Sequence, residues 1–199
     1  MSCTFRRLIY KYRQLKCSNG TLLNSMQIGF LTGLGDVLAQ KYLEEQCEID
    51  WLRTAKATAF GAFFVGPATS WWFRFAERKF ACKPCKECSK FTMALKQILA
   101  TELIFVPIVN AAGLTVMSTI DGKCYGGIVQ TVNEKWGDIV VANWTYWPLI
   151  HFIKYMVLIP RHQLLIFKLA YVPWAAYLSW KYHLDECEAC CEECEDDDE

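Results

Sequence analysis

The sequence predicts an all-α, polytopic membrane helical bundle of four or five spans. The 199-residue chain is 53% hydrophobic, with 8 Trp, 9 Tyr and 12 Phe. Its apolar residues fall in blocks, and two of these, 57–73 (ATAFGAFFVGPATSWWF) and 103–120 (LIFVPIVNAAGLTVMSTI), hold no charge at all. Blocks of this length match the roughly 20 residues needed to cross a hydrocarbon core about 30 Å thick. A soluble chain of this size could not bury four or five such helices on every side. Strands are too short to explain the runs.

Three regions follow from composition. Residues 1–20 carry Arg6, Arg7, Lys11, Arg13 and Lys16 without an acid, with Leu8, Ile9, Tyr12 and Leu15 at helical spacing between them. This reads as a basic amphipathic segment suited to an anionic membrane surface and to mitochondrial targeting, or else as a frayed basic terminus. It lacks the apolar core of a secretory signal. Residues 21–183 form the helical bundle. Residues 184–199 are an acidic, cysteine-rich tail whose charge predicts a disordered, solvated segment.

Within the bundle, the first span covers about 22–42 and contains Gly29 and Gly33, a G-x-x-x-G pair that lets a second helix approach closely. The second covers about 54–75 and the third about 98–120. Asp121-Gly122 marks a loop, and a short segment near 132–141 leads into a fourth span, 144–159, ended by Pro160. A fifth apolar segment covers 164–180. Basic residues cluster before the first span and between the second and third, while the 43–53 and 121–142 connections are poor in them. That alternation fits single crossings by the first four spans, with the N-terminus on the basic side.

The fourth span sets His151 and Lys154 into an apolar run, "WPLIHFIKYMVLIP". Trp147, His151, Lys154 and Leu158 recur at i, i+4, i+7 and i+11, so the two polar groups share a helix face. An ionisable group at mid-membrane costs several kcal/mol unless it meets water or a partner. This face therefore looks inward, and Glu102 and Asp36 are the available acids. Trp71, Trp72, Trp144, Trp147 and Tyr182 suit interfacial belts.

The blocks "GDVLAQKYLE", "DWLRTAKATAFGAFFVGPATSWWFRF", "NWTYWPLIHFIKYMVLIP" and "WAAYLSWKYH" occur in this order. Together they resemble the peroxisomal membrane protein 2/4 (Mpv-type) family over about residues 28–183. The likeness is carried by Gly35-Asp36 with Gln40, Asp50 with Arg53, Gly66-Pro67 with Trp72, Trp144 with Trp147-Pro148, and Trp174 with Tyr177-Leu178-Ser179. The resemblance implies a small integral protein of the mitochondrial inner membrane or, second, the peroxisomal membrane. It also implies about four spans, no known reaction, and a pore or channel subunit for small solutes or metabolites. The chain departs from the family where His151 and Lys154 replace Gln and Asn, where Thr101-Glu102 replaces Asp-Gln and where Ser70 replaces His. Pro160 is displaced by one place, and Gln163 stands where the family has Arg. Because Glu102 and Lys154 have changed to opposite charges, the two are expected to pair.

His151, Lys154, Glu102, Asp36, Gln40 and Ser70 are thus the candidates for a polar path through the bundle, an unpaired ammonium favouring anions. The competing reading makes such groups glue between helices, at about 0.6 kcal/mol each, and is preferred for Gln40 and Asp36. The expected partners are the lipid bilayer, small solutes and further copies of the chain. The rival to a pore is a non-conducting scaffold that works through protein partners.

Eleven cysteines raise the question of metal. Cys82, Cys85 and Cys88 sit in the basic loop, and Cys187, Cys190, Cys191 and Cys194 in the acidic tail. Thiolates at this spacing can chelate zinc or copper(I), but adjacent Cys190 and Cys191 do not suit a zinc knuckle. Free or lipidated thiols are the preferred reading of the tail. No cofactor is expected. Neither G-x-x-x-x-G-K-[ST], G-x-S-x-G nor H-E-x-x-H occurs, so no enzymatic role is expected. Zero net charge argues against nucleic acid as a partner.

Overall fold

The computed structural model describes the backbone of residues 19–80, 90–156 and 160–196; the side chains of 77, 80, 90, 154–156, 160–165 and 185–196 lie outside the described residues. The described residues form helices and no strand. Helix α1 is Gly20–Tyr42. Helix α2 (Trp51–Phe60) passes through a π-helical turn, Gly61–Val65, into α3 (Gly66–Phe80). Likewise α4 (Lys90–Ala100) passes through Thr101–Phe105 into α5 (Val106–Ile120). Helices α6 (Tyr125–Met156) and α7 (Pro160–Asp196) complete five rods among the described residues.

Both π turns have the same cause. Proline cannot donate a backbone hydrogen bond, and its ring crowds the carbonyl four residues back. Pro67 and Pro107 each stand two residues past the end of a π turn. The ladder widens ahead of each proline, so that Gly66 N–H bonds to the carbonyl of Gly61 and Val106 N–H to that of Thr101. Both rods stay continuous. Helix α2 starts on Asp50, whose carboxylate accepts from the N–H groups of Leu52 and Arg53 as an N-cap.

Contacts along the rods fix their directions. Helix α1 runs antiparallel to α2–α3: a Cβ on Gly29 would lie 2.7 Å from that of Ala62, and the Thr58 side chain packs on Gly33. The G-x-x-x-G pair is therefore a helix crossing. Helix α7 runs parallel to α1, with Lys168 donating to Gln27, Tyr171 bonded to Thr32 and Ser179 donating to Asp36. The segment 164–180 thus lies alongside α1 over most of its length. Ile28, Leu114, Trp147, Trp174 and Ala175 belong to the core where the rods meet.

The outer faces are apolar. Leu22, Met26, Phe30 and Leu34 stand exposed at four-residue spacing on α1, as do Leu95, Leu99 and Leu103 along α4 and its π turn. Such faces are far more extensive than the apolar patches of a soluble monomer, and lipid is the solvent that suits them. Among the described residues one helix, Phe91–Ile120, is by length and composition sufficient to cross a membrane.

Two expectations are corrected. The segment near 132–141 is part of a single helix with 144–156, which runs through Gly137 and Pro148 without a break. The backbone of α7 continues as helix over 184–196 to Asp196. Propagating an existing helix costs little compared with nucleating one, and this stretch contains neither Gly nor Pro. Trp72, Trp147 and Tyr182 are buried in the bundle, whereas Trp71 and Trp144 are exposed as belt residues would be.

Candidate functional site: an ion cluster and an internal cavity

At the C-terminal end of α1, the residues Asp36, Gln40, Glu44, Arg53, Thr54 and Ser179 form one hydrogen-bonded cluster. The Arg53 guanidinium forks onto Glu44 through two bonds of 2.6 Å and donates from Nε to Asp36 Oδ1 at 3.0 Å. Asp36 Oδ2 accepts from Thr54 Oγ1 at 2.7 Å and Gln40 Nε2 at 2.8 Å, and Oδ1 from Ser179. Gln40 Oε1 accepts the Asp50 N–H at 2.7 Å. Asp36 and Gln40 are fully buried, and every polar atom they offer is used. This ties α1, α2 and α7 together and leaves no group over for a solute.

Near Asp121, Lys56 Nζ donates to Asp121 Oδ1 at 2.9 Å and Tyr182 O–H to Oδ2 at 2.8 Å. The α5–α6 connection is thereby fastened to the same end of the bundle as Tyr182.

Between these attachments and the opposite end runs a cavity of about 450 Å³. Its walls are largely apolar and aromatic, with Phe73, Trp147, Phe167 and Trp174 among the lining residues. Glu102, Asn110, Asn143 and His151 also line it. His151 is buried within 6.3 Å, ring to ring, of Phe73, Trp147 and Phe167, with Nε2 3.9 Å from Glu102 Oε1. Among the described residues no donor reaches hydrogen-bonding distance of either Glu102 oxygen, or of Asn143 Oδ1, and Asn110 Nδ2 finds no acceptor. These groups resemble the ion cluster in burial and differ from it in being unsatisfied.

A wider recess of about 800 Å³ adjoins the N-terminal end of α1, lined by Asn19, Thr21, Ser70 and Arg74 among others. Asn24 and Phe73 line both spaces. Asn24 Nδ2 donates to Ser70 Oγ at 2.9 Å, bridging α1 to α3.

Tryptophans hold the Glu102 backbone in place. Trp144 Nε1 donates to the Glu102 carbonyl at 2.9 Å, Trp136 Nε1 to that of Pro107 at 2.9 Å, and Trp72 Nε1 to Thr101 Oγ1 at 3.0 Å. A proline-widened turn leaves carbonyls needing donors, and indole N–H groups supply them. Trp144→Phe is expected to lower stability by about 1 kcal/mol, while Trp71→Phe, on the exposed face, stays within about 0.5 kcal/mol. Thermal unfolding of both variants in one detergent measures the difference.

The polar candidates therefore divide. His151 and Glu102 meet in the cavity, Ser70 lies in the recess, and Asp36 and Gln40 belong to the ion cluster with Arg53. The neighbour of Glu102 among the described side chains is His151; the Lys154 side chain, expected to pair with Glu102, lies outside them. Gly35 packs on Ala175 and Gly66 on Ser25. Pro67 follows a widened turn, Pro148 lies inside α6, and buried Trp174 lines the cavity. The side chains of Cys82, Cys85, Cys88, Cys187, Cys190, Cys191 and Cys194 lie outside the described residues, among which no metal-binding cluster occurs. Sequence reading passed over Asn110 and Asn143, although an amide inside a charge-free run is a usable signal. It also passed over Glu44, whose role depends on the fold of the 43–50 connection.

Comparison with known proteins gives a consistent result. Residues 118–179 match the model of the Mpv17 / PMP22 family. Protein SYM1 of Gibberella zeae is 26% identical over 171 residues, covering 85% of this chain and 94% of the relative. The mitochondrial inner membrane protein Mpv17 of Danio rerio is 27% identical over 172 residues, with 85% and 94% covered. Protein SYM1 of Saccharomyces cerevisiae is 25% identical over 178 residues, with 88% and 90% covered. No solved structure matches the chain.

Proposed function

We propose that the chain is a mitochondrial inner-membrane member of the Mpv17 / PMP22 family, on its similarity to that family over residues 118–179 and to SYM1 and Mpv17 proteins over most of its length, and that it is a non-enzymatic pore or pore subunit for small solutes, built on five membrane crossings. The observation that carries this reading is the cavity inside the bundle, which shares the lining residues Asn24 and Phe73 with the recess at one end. An inner cavity with unsatisfied polar groups, surrounded by lipid-facing apolar surface, suits a solute path better than a passive anchor.

The fifth crossing rests on the parallel run of α7 beside α1. It puts the end of α7 on the face of the membrane opposite the end of α3.

The purified protein in planar bilayers is expected to conduct small ions. Phe73→Ala removes a ring between recess and cavity and should raise the conductance severalfold. A protein that gives neither conductance nor solute leak over a range of salts and pH supports the non-conducting scaffold instead.

A further inference from the structure

We infer that the Glu102 end of the cavity is a binding site for an amphipathic organic monocation, a substituted ammonium on an apolar or aromatic body. The inference uses the cavity alone and does not depend on conduction. Glu102 is only 5% exposed and lines the cavity, and neither carboxylate oxygen receives a hydrogen bond among the described residues. A buried carboxylate without donors is costly, and a ligand that supplies positive charge removes that cost.

The surroundings select the ligand class. Phe73, Trp147 and Phe167 pack around His151, whose Nε2 lies 3.9 Å from Glu102. Aromatic faces attract a weakly hydrated ammonium and its alkyl groups, most strongly when water is excluded. A divalent metal ion would need several oxygen ligands in place of one carboxylate, and among the described residues no acidic cluster supplies them. An inorganic anion would meet the carboxylate unfavourably. Lys168, the cation among the described lining residues, is engaged by Gln27 on α1.

The test uses the full chain in lipid nanodiscs at pH 8, above the ordinary range of an imidazole, with benzyltrimethylammonium as probe and empty nanodiscs subtracted. Saturable binding is expected by titration calorimetry, with no saturable binding of benzenesulfonate. Glu102→Gln should weaken the cation by about tenfold or more, a loss of about 1.4 kcal/mol. Glu102→Asp should restore most of it. Trp147→Leu, which keeps the carboxylate, should weaken it as well, so the proposal remains testable if Glu102→Gln does not fold. Absence of saturable binding to the wild type overturns the proposal, as would follow if an internal ammonium such as that of Lys154 already occupied Glu102. Equal affinity in a folded Glu102→Gln protein overturns it too.

Discussion

Replacing Arg53 by methionine is expected to destabilise the protein by about 3–5 kcal/mol, the range found when one partner of a buried ion cluster is removed. The magnitude follows from what remains. Asp36 and Glu44 have side chains 0% and 1% exposed, and Arg53 is the cation that faces both. Without it two buried carboxylates share one end of the bundle, and Asp36 keeps only the neutral donors of Gln40, Thr54 and Ser179. Asp36→Asn is milder, because Arg53 keeps its two bonds to Glu44. Unfolding of Arg53→Met and Asp36→Asn in the same detergent reads both effects. An Arg53→Met protein as stable as the wild type would mean that the cluster does not hold the helices together.

The second large effect is expected at Gly35. A Cβ there would stand 2.5 Å from the Ala175 Cβ and 2.9 Å from the Ala175 backbone carbonyl carbon, so backbone as well as side chain is in the way. Gly35→Val must push α7 from α1, stretching the Asp36–Ser179 and Thr32–Tyr171 bonds on either side. Overpacking of this kind costs about 1–3 kcal/mol, and more where hydrogen bonds are lost with it. Gly137 has open space around it, and Gly137→Ala should be neutral or gain up to about 1 kcal/mol of helix propensity. Melting temperatures of the two variants in the same detergent separate close helix packing from a general intolerance of glycine replacement.

Much of the fold was legible because a bilayer imposes its thickness on sequence. Charge-free runs located α2–α3 and α4–α5, Gly29 and Gly33 located a helix crossing, and Asp121-Gly122 located a turn. The inward direction of His151 followed from its period with Trp147 and from the cost of exposing it to lipid. What sequence could not supply was pairing across helices. Asp36 and Gln40 read as helix glue before pore lining, but the sequence did not name their partners; in three dimensions Arg53, Thr54 and Ser179 satisfy these two while Glu102 receives no hydrogen bond among the described residues. Periodicity fixes the face of a residue and says nothing about which side chain a distant helix brings to it. The tryptophans show a similar limit. An indole suits an interface, but Trp72 and Trp144 bond to the widened turn around Glu102, a need created by Pro107 that only the folded chain makes visible.

Topology tests the account most directly. Cys47 and Cys124 are exposed in the connections at one end of the bundle, and Gly20 is exposed with open space at the other. In membranes that resist carbonate extraction, single-cysteine chains bearing Cys47, Cys124 or Gly20→Cys would be exposed to an impermeant maleimide from one side. Cys47 and Cys124 are expected to react together, and Gly20→Cys only when reagent is admitted to the opposite side. Labelling of Cys47 and Gly20→Cys from the same side, or release of the chain by carbonate, would contradict a bundle whose helices cross the bilayer.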